Sequence, residues 1–119
     1  MKEYFLVIDT ETSGLPKKWD QPYDSPKNWP YVVQIAWIIY QADGNEIKRS
    51  SHYLKNGDFK INASAYQIHQ INHEYLSING EDRRQIMLKL RTDLEQYHPL
   101  IIGHFMELDF HMIDRKSVV

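Results

Sequence analysis

The sequence predicts an α/β protein with a mixed sheet, and three observations carry that expectation. Two apolar runs, residues 4–9 and 32–41, have strand length and composition, and the second leads into the hairpin signal Asp43-Gly44. Ile86, Met87, Leu90, Leu94 and Tyr97 then recur at helical spacing. A last short apolar run, residues 100–103, follows the helix directly after Pro99. The order β-β-β-α-α-β-α is that of strands and helices sharing one core.

The elements follow in order. Residues 4–9 (Tyr-Phe-Leu-Val-Ile-Asp) read as the first strand. Residues 12–31 form a long connection with four of the five prolines, Pro16, Pro22, Pro26 and Pro30, and with Trp19, Tyr23 and Trp29. A connection this long in a compact domain is usually functional or mobile. Residues 32–41 are the second strand and 46–54 the third, so the first three strands form an antiparallel meander. Asn62 is the expected N-cap of a short helix over 63–70, with a further turn at residues 73–76. Asn79 and Asp82 are placed to cap the long helix, whose apolar stripe packs on the sheet and which Pro99 closes. Residues 100–103 read as a short buried strand parallel to the first, and the chain from Asp109 onward reads as helix.

Composition limits the function classes. With 119 residues the chain is expected to form one domain, and its 42% hydrophobic content suits a folded protein. The net charge of −2 gives no global basic signature of a nucleic-acid binder, although a protein that grips a strand end through metal ions needs little net charge. There are no cysteines, which excludes disulfides, zinc-thiolate sites and a cysteine nucleophile. The apolar run at the N-terminus is too short for a signal peptide or a membrane span, so no membrane partner and a cytoplasmic location are expected.

The chemistry concentrates in residues 4–15, where an apolar strand runs into Asp9 and Glu11 and then turns at Gly14. Residues two apart on a strand point to the same side, so the two carboxylates leave it together. Oxygen pairs of this kind suit Mg²⁺ or Mn²⁺. Asp-x-Glu alone is an ordinary polar strand end; the flanking residues make the string specific.

Asp9-Thr10-Glu11-Thr12-Ser13-Gly14-Leu15 resembles the first motif of the DEDD (DnaQ-like) 3′–5′ exonucleases, the ribonuclease H-like family that includes the proofreading subunit of DNA polymerase III. The second family motif is similar to Leu100-Ile-Ile-Gly-His-Phe-Met-Glu-Leu-Asp109, with Phe105 for the usual Asn and Leu108 for the usual Phe. Residues 61–72 look like the family helix that ends Ile-His-Gly-Ile, with Gln70 in place of Gly. The third motif, His or Tyr type with its Asp, is not found in the 119 residues.

The resemblance implies a ribonuclease H-like sheet, two divalent cations (Mg²⁺ or Mn²⁺), and hydrolysis at nucleic-acid 3′ ends, DNA or RNA. It implies Asp9, Glu11 and Asp109 as catalytic metal ligands, with Asp9 bridging both ions. Asp109 also reads as a helix N-cap, and the two roles are compatible. Glu107, two residues earlier, reads as a surface residue, and His104 as a structural hydrogen-bonding residue. Thr10, Thr12, Gly14 and Leu15 would line the pocket for the terminal nucleotide, the Thr12 hydroxyl bonding the sugar and Leu15 wedging between bases or packing in the core. His69 and Ile71 would border that pocket, or His69 would serve as a cation at a helix end; its i,i+4 pairing with His73 reads as incidental. Trp19, Tyr23 and Trp29, with Lys17, Lys18 and Lys27, suit a strand-guiding loop or a loop packed on its own aromatics. Arg83, Arg84, Lys89 and Arg91 read as a solvated helix face.

With three carboxylates and no general base, the 119 residues are expected to turn over weakly or not at all by themselves; loss of a base typically costs ~10²–10⁴-fold. The 119 residues therefore read as the N-terminal part of such a domain, and the family helices that lead to the third motif, not found here, would otherwise cover apolar surface, whose exposure favours self-association, hence a homo-oligomer. The alternative is a degenerate module that holds nucleic-acid ends or a DNA polymerase subunit without cleavage.

Overall fold

The computed structural model describes residues 3–14, 31–55 and 59–103. Leu15, the loop residues Lys17, Lys18, Trp19, Tyr23, Lys27 and Trp29, and His104, Glu107, Asp109 and the helix expected after it all lie outside the described residues. The described chain is an α/β arrangement around one five-stranded mixed sheet.

Strand β1 runs Tyr4–Thr12, three residues beyond the strand expected over 4–9, so both carboxylates lie within it. It pairs antiparallel with β2, Val32–Gln41, which pairs antiparallel with β3, Glu46–Leu54. The hairpin between β2 and β3 turns where expected: Gly44 adopts φ +94°, and Asp43 Oδ1 accepts from the Asn45 amide at 3.0 Å.

Two short helices follow, α1 at Ala63–His69 and α2 at His73–Asn79. Asn62 occupies the N-cap position of α1, but its side chain makes no capping bond and instead lies against Gly14. Asn72 caps α2 by accepting from the Tyr75 amide at 2.8 Å. The turn expected at residues 73–76 is therefore a full helix, and Asn79 ends it rather than helping to cap the next.

A two-residue strand, β4 (Gly80–Glu81), pairs parallel with β3. Helix α3, Arg83–Tyr97, starts from Asp82, whose Oδ1 accepts from the Arg84 amide at 2.8 Å and the Gln85 amide at 3.2 Å. It ends at His98 in the left-handed conformation, φ 46°, just before Pro99. Strand β5, Leu100–Gly103, pairs parallel with β1, and the sheet order is β4-β3-β2-β1-β5.

One face of the sheet carries the main core. Leu6, Ile8, Ile35, Trp37, Ile39 and Leu54 are buried there with Ile86 and Leu90 of α3, and Met87, Leu94 and Tyr97 pack at its margin. The helical stripe thus does what its spacing predicts. A smaller cluster of Val33, Ile71 and Leu76 joins α2 to the sheet. The opposite face is more open. Val7 of β1 and Leu100 and Ile102 of β5 are 38%, 49% and 45% exposed, so β5 is a half-exposed edge strand and not the buried strand expected. Among the described residues no helix is long and apolar enough to cross a membrane.

Candidate functional site

The alternation of β1 decides which way its polar residues face. Leu6 and Ile8 are buried beneath α3, while Val7 and Asp9 are exposed on the other side. Asp9 stands opposite Ala36 and Glu11 opposite Gln34 in the ladder with β2. The two carboxylates therefore share the open face, Asp9 exposed and Glu11 half-buried. Thr10, opposite Ile35, belongs to the helix-covered side, so only its backbone borders the open face.

A bulge falls between Glu11 and Thr12, where the register shifts so that Thr12 pairs with Val32. Bulges bend and twist a strand and re-aim the side chains beside them. Beyond it the chain is fixed by backbone bonds. The Ser13 amide donates to Tyr31 O at 2.8 Å, the Tyr31 amide donates to Ser13 Oγ at 3.0 Å, and the Asn62 amide donates to Ser13 O at 2.7 Å. The Thr12 hydroxyl donates to Gly14 O at 2.6 Å, which leaves its oxygen lone pairs to accept from another group. Gly14 is buried so tightly on the Asn62 side chain that a Cβ would collide with it.

His69, at the end of α1, closes the site from the other side. Its Nε2 lies 2.9 Å from Thr12 O, and its Nδ1 accepts the Ile71 amide at 3.0 Å. Together the two bonds require a neutral ring with hydrogen on Nε2. His69 is therefore a bridge from α1 to the end of β1, not the helix-end cation that its position allows. Gln70, where the resemblance has glycine, takes the left-handed conformation, φ 59°, which accounts for the preference for glycine at that point. The ring of His73 lies 5.5 Å from that of Phe59.

The structure brings Asp9, Glu11, Thr12, Gly14 and His69 to one end of β1; Leu15 and Asp109 lie outside the described residues. Among the described residues no group of three His, Cys, Asp or Glu side chains could hold a metal ion. Asp9 and Glu11 supply an open pair of hard oxygen donors, which fits Mg²⁺ or Mn²⁺ with further ligands from solvent or substrate.

Two charged residues of interest carry no motif. Asp93 is 1% exposed within the apolar stripe of α3; Trp37 Nε1 donates to its Oδ2 and Lys48 Nζ to its Oδ1, each at 2.8 Å. Its place three residues after Leu90 puts it on the buried face, the one signal available in the sequence. Arg83 opens α3 but is not part of the solvated face formed by Arg84, Lys89 and Arg91: its guanidinium lies against Tyr31 and Phe59. Burial pushes its pKa down to about 10, so it remains charged near neutrality.

No protein family and no curated protein matches the chain in sequence. Solved structures do match. Product-bound exonuclease I aligns with a TM-score of 0.75 and 20% identity over 95% of this chain and 24% of that one. Exonuclease I of E. coli in complex with a dT13 oligonucleotide aligns with the same score and identity over 94% and 23%. The ExoI/SSB-Ct complex also scores 0.75 at 20% identity, over 95% and 23%. The chain thus spans about a quarter of the exonuclease I chains it matches. At this identity the likeness shows the fold alone, a mixed α/β sheet shared with exonuclease I.

Proposed function

We propose that this chain carries the catalytic carboxylates of a metal-dependent 3′–5′ exonuclease of the DEDD type. The carrying observation is that the Asp-Thr-Glu-Thr-Ser-Gly string ends a central strand with both carboxylates on the open face, in a fold shared with exonuclease I. In this reading residues 1–119 belong to an exonuclease-like domain, of which they carry the first two motifs. Asp9 and Glu11 would hold a divalent cation, with Asp109 as the third ligand. Divalent cations at such a site activate water and neutralise charge on the phosphate, by the two-metal arrangement where two are held. The chain's own residues do the rest. Asp9 and Glu11 fix the cation against the open face. The Thr12 oxygen accepts from the terminal sugar hydroxyl, and Thr10 to Leu15 shape the pocket. His69 holds the end of β1 in place by its bond to Thr12 O.

The substrate is the 3′ end of single-stranded DNA or RNA. Crystal structures of exonuclease I contain a dT13 or a 5cy-dA13 oligonucleotide, each of one base type, which supports a single-stranded substrate. Association with a DNA polymerase subunit, a cytoplasmic location, and self-association through the exposed Val7, Leu100 and Ile102 band complete the proposal.

A second reading, an end-binding module without turnover, is favoured by one observation. Both nitrogens of His69, the histidine bonded to the end of β1, are engaged, so it supplies no general base.

The test is digestion of 3′-labelled DNA and RNA with Mn²⁺ by the chain and by Asp9→Ala, alongside calorimetric Mn²⁺ binding. Metal binding and slow cleavage, both lost in Asp9→Ala, are expected. Metal binding without cleavage selects the second reading. No Mn²⁺ binding at all would sink both.

A further inference from the structure

Among the described residues, the buried side-chain atoms without a hydrogen-bond partner are His52 Nε2 and both terminal guanidinium nitrogens of Arg83. The histidine has a local explanation. Its Nδ1 lies 2.5 Å from Glu81 Oε2 and its ring is 5.5 Å from that of Trp37, so it joins β3 to β4 with one nitrogen and packs with the other side. Arg83 has no such explanation. Only its Nε is engaged, donating to Lys55 O at 3.2 Å.

The surroundings of Arg83 hold the guanidinium in place. The rings of Tyr31 and Phe59 stack at 4.5 Å and 13°, and the guanidinium carbon lies 5.8 Å and 5.3 Å from their centroids. A guanidinium held against an aromatic pair through its carbon, with both terminal nitrogens unpaired, has donors left for an acceptor, and its fork matches two oxygens of one phosphate. Loss of hydration without an acceptor disfavours the cation, which is why its pKa falls. A bound oxyanion would reverse that penalty.

The position also bears on the carboxylates. Tyr31 exchanges two hydrogen bonds with Ser13, two residues beyond Glu11. Arg83 thus belongs to the end of the sheet where β1 delivers Asp9 and Glu11.

We propose that Arg83 is an oxyanion site, its Nη1 and Nη2 taking two oxygens of a phosphate group. The source of that phosphate rests on the nuclease reading: a phosphodiester of the strand whose 3′ end reaches the carboxylates. Free phosphate is the other source of the same chemistry, and the two are separable.

The experiment compares the chain with Arg83→Met, which keeps the apolar stem, and Arg83→Lys, which keeps charge without the fork. Thermal unfolding is followed against inorganic phosphate, with sodium chloride at equal ionic strength as reference. Binding of a fluorescent oligothymidylate is measured in EDTA across salt concentrations, so that no metal site contributes. Phosphate should raise the unfolding midpoint of the parent chain, less that of Arg83→Lys, and not that of Arg83→Met. Oligonucleotide affinity should fall about tenfold in Arg83→Met, with a log–log salt slope shallower by ~0.7, the value for one phosphate contact on a single strand. Phosphate stabilisation that depends on Arg83, without oligonucleotide binding by the parent, would keep the site, assign it to free phosphate and remove the nucleic-acid reading. Equal response of the parent and Arg83→Met to phosphate would overturn the proposal.

Discussion

Helix α3 buries two charges, and it treats them in opposite ways. Asp93, near its end, has each carboxylate oxygen matched to a donor, one on Trp37 and one on Lys48. Arg83, at its start, has two buried terminal nitrogens without an acceptor among the described residues. Burial of a charge is tolerable when its hydrogen bonds are complete and costly when they are not. The first arrangement is therefore architectural: it locks α3 to β2 and β3. The second is an open valence, which is what a binding position looks like before its ligand arrives.

The comparison can be broken or sharpened by substitution. Asp93→Ala is expected to have the largest effect, a loss of about 3–5 kcal/mol in urea unfolding, because the Trp37 indole and Lys48 ammonium are both left without their acceptor. Trp37→Phe keeps the ring and removes one donor, for a loss of about 2 kcal/mol, the range of a hydrogen bond to a charged group. Lys48→Met should cost less, about 1 kcal/mol, since the Lys48 side chain is 47% exposed and solvent screens the pair. Arg83→Met should differ in sign: without phosphate it gains up to about 1 kcal/mol, because an unpaired buried cation is replaced by an apolar chain. A loss of several kcal/mol in Arg83→Met would mean that Arg83, too, is architectural, and the contrast would fail.

The sequence revealed these two charges far less well than it revealed the strands. β2 and β3 were legible because each carries a strand-length run and Asp43-Gly44 fixes the turn between them. The stripe of α3 was legible because hydrophobic spacing reports which face is buried. The carboxylates Asp9 and Glu11 were legible because their string is specific and the period of a strand puts them on one side. β1 was expected to stop early, since Thr10 and Thr12 read as polar while their backbone still pairs with β2. β4 was missed because two residues have no period, and its pairing depends on where α2 delivers the chain. The same reason hides Arg83. Whether a cation at the first turn of a helix is solvated or enclosed depends on Tyr31 and Phe59, more than twenty residues away in sequence, and local pattern carries no such information.

The sheet order has a consequence for how the molecule opens. β1 is hydrogen-bonded on both sides, antiparallel to β2 and parallel to β5, whereas β4 holds the far edge with two residues. Amide hydrogens exchange with solvent through local openings, and those of central strands open last. In deuterated water the amides of Leu6, Val7 and Ile8 should be among the slowest to exchange, and those of Gly80 and Glu81 among the fastest. The two acidic side chains thus follow directly on the segment that persists longest, in a stretch of β1 that is still paired with β2, so the slow-opening segment anchors the strand that carries them.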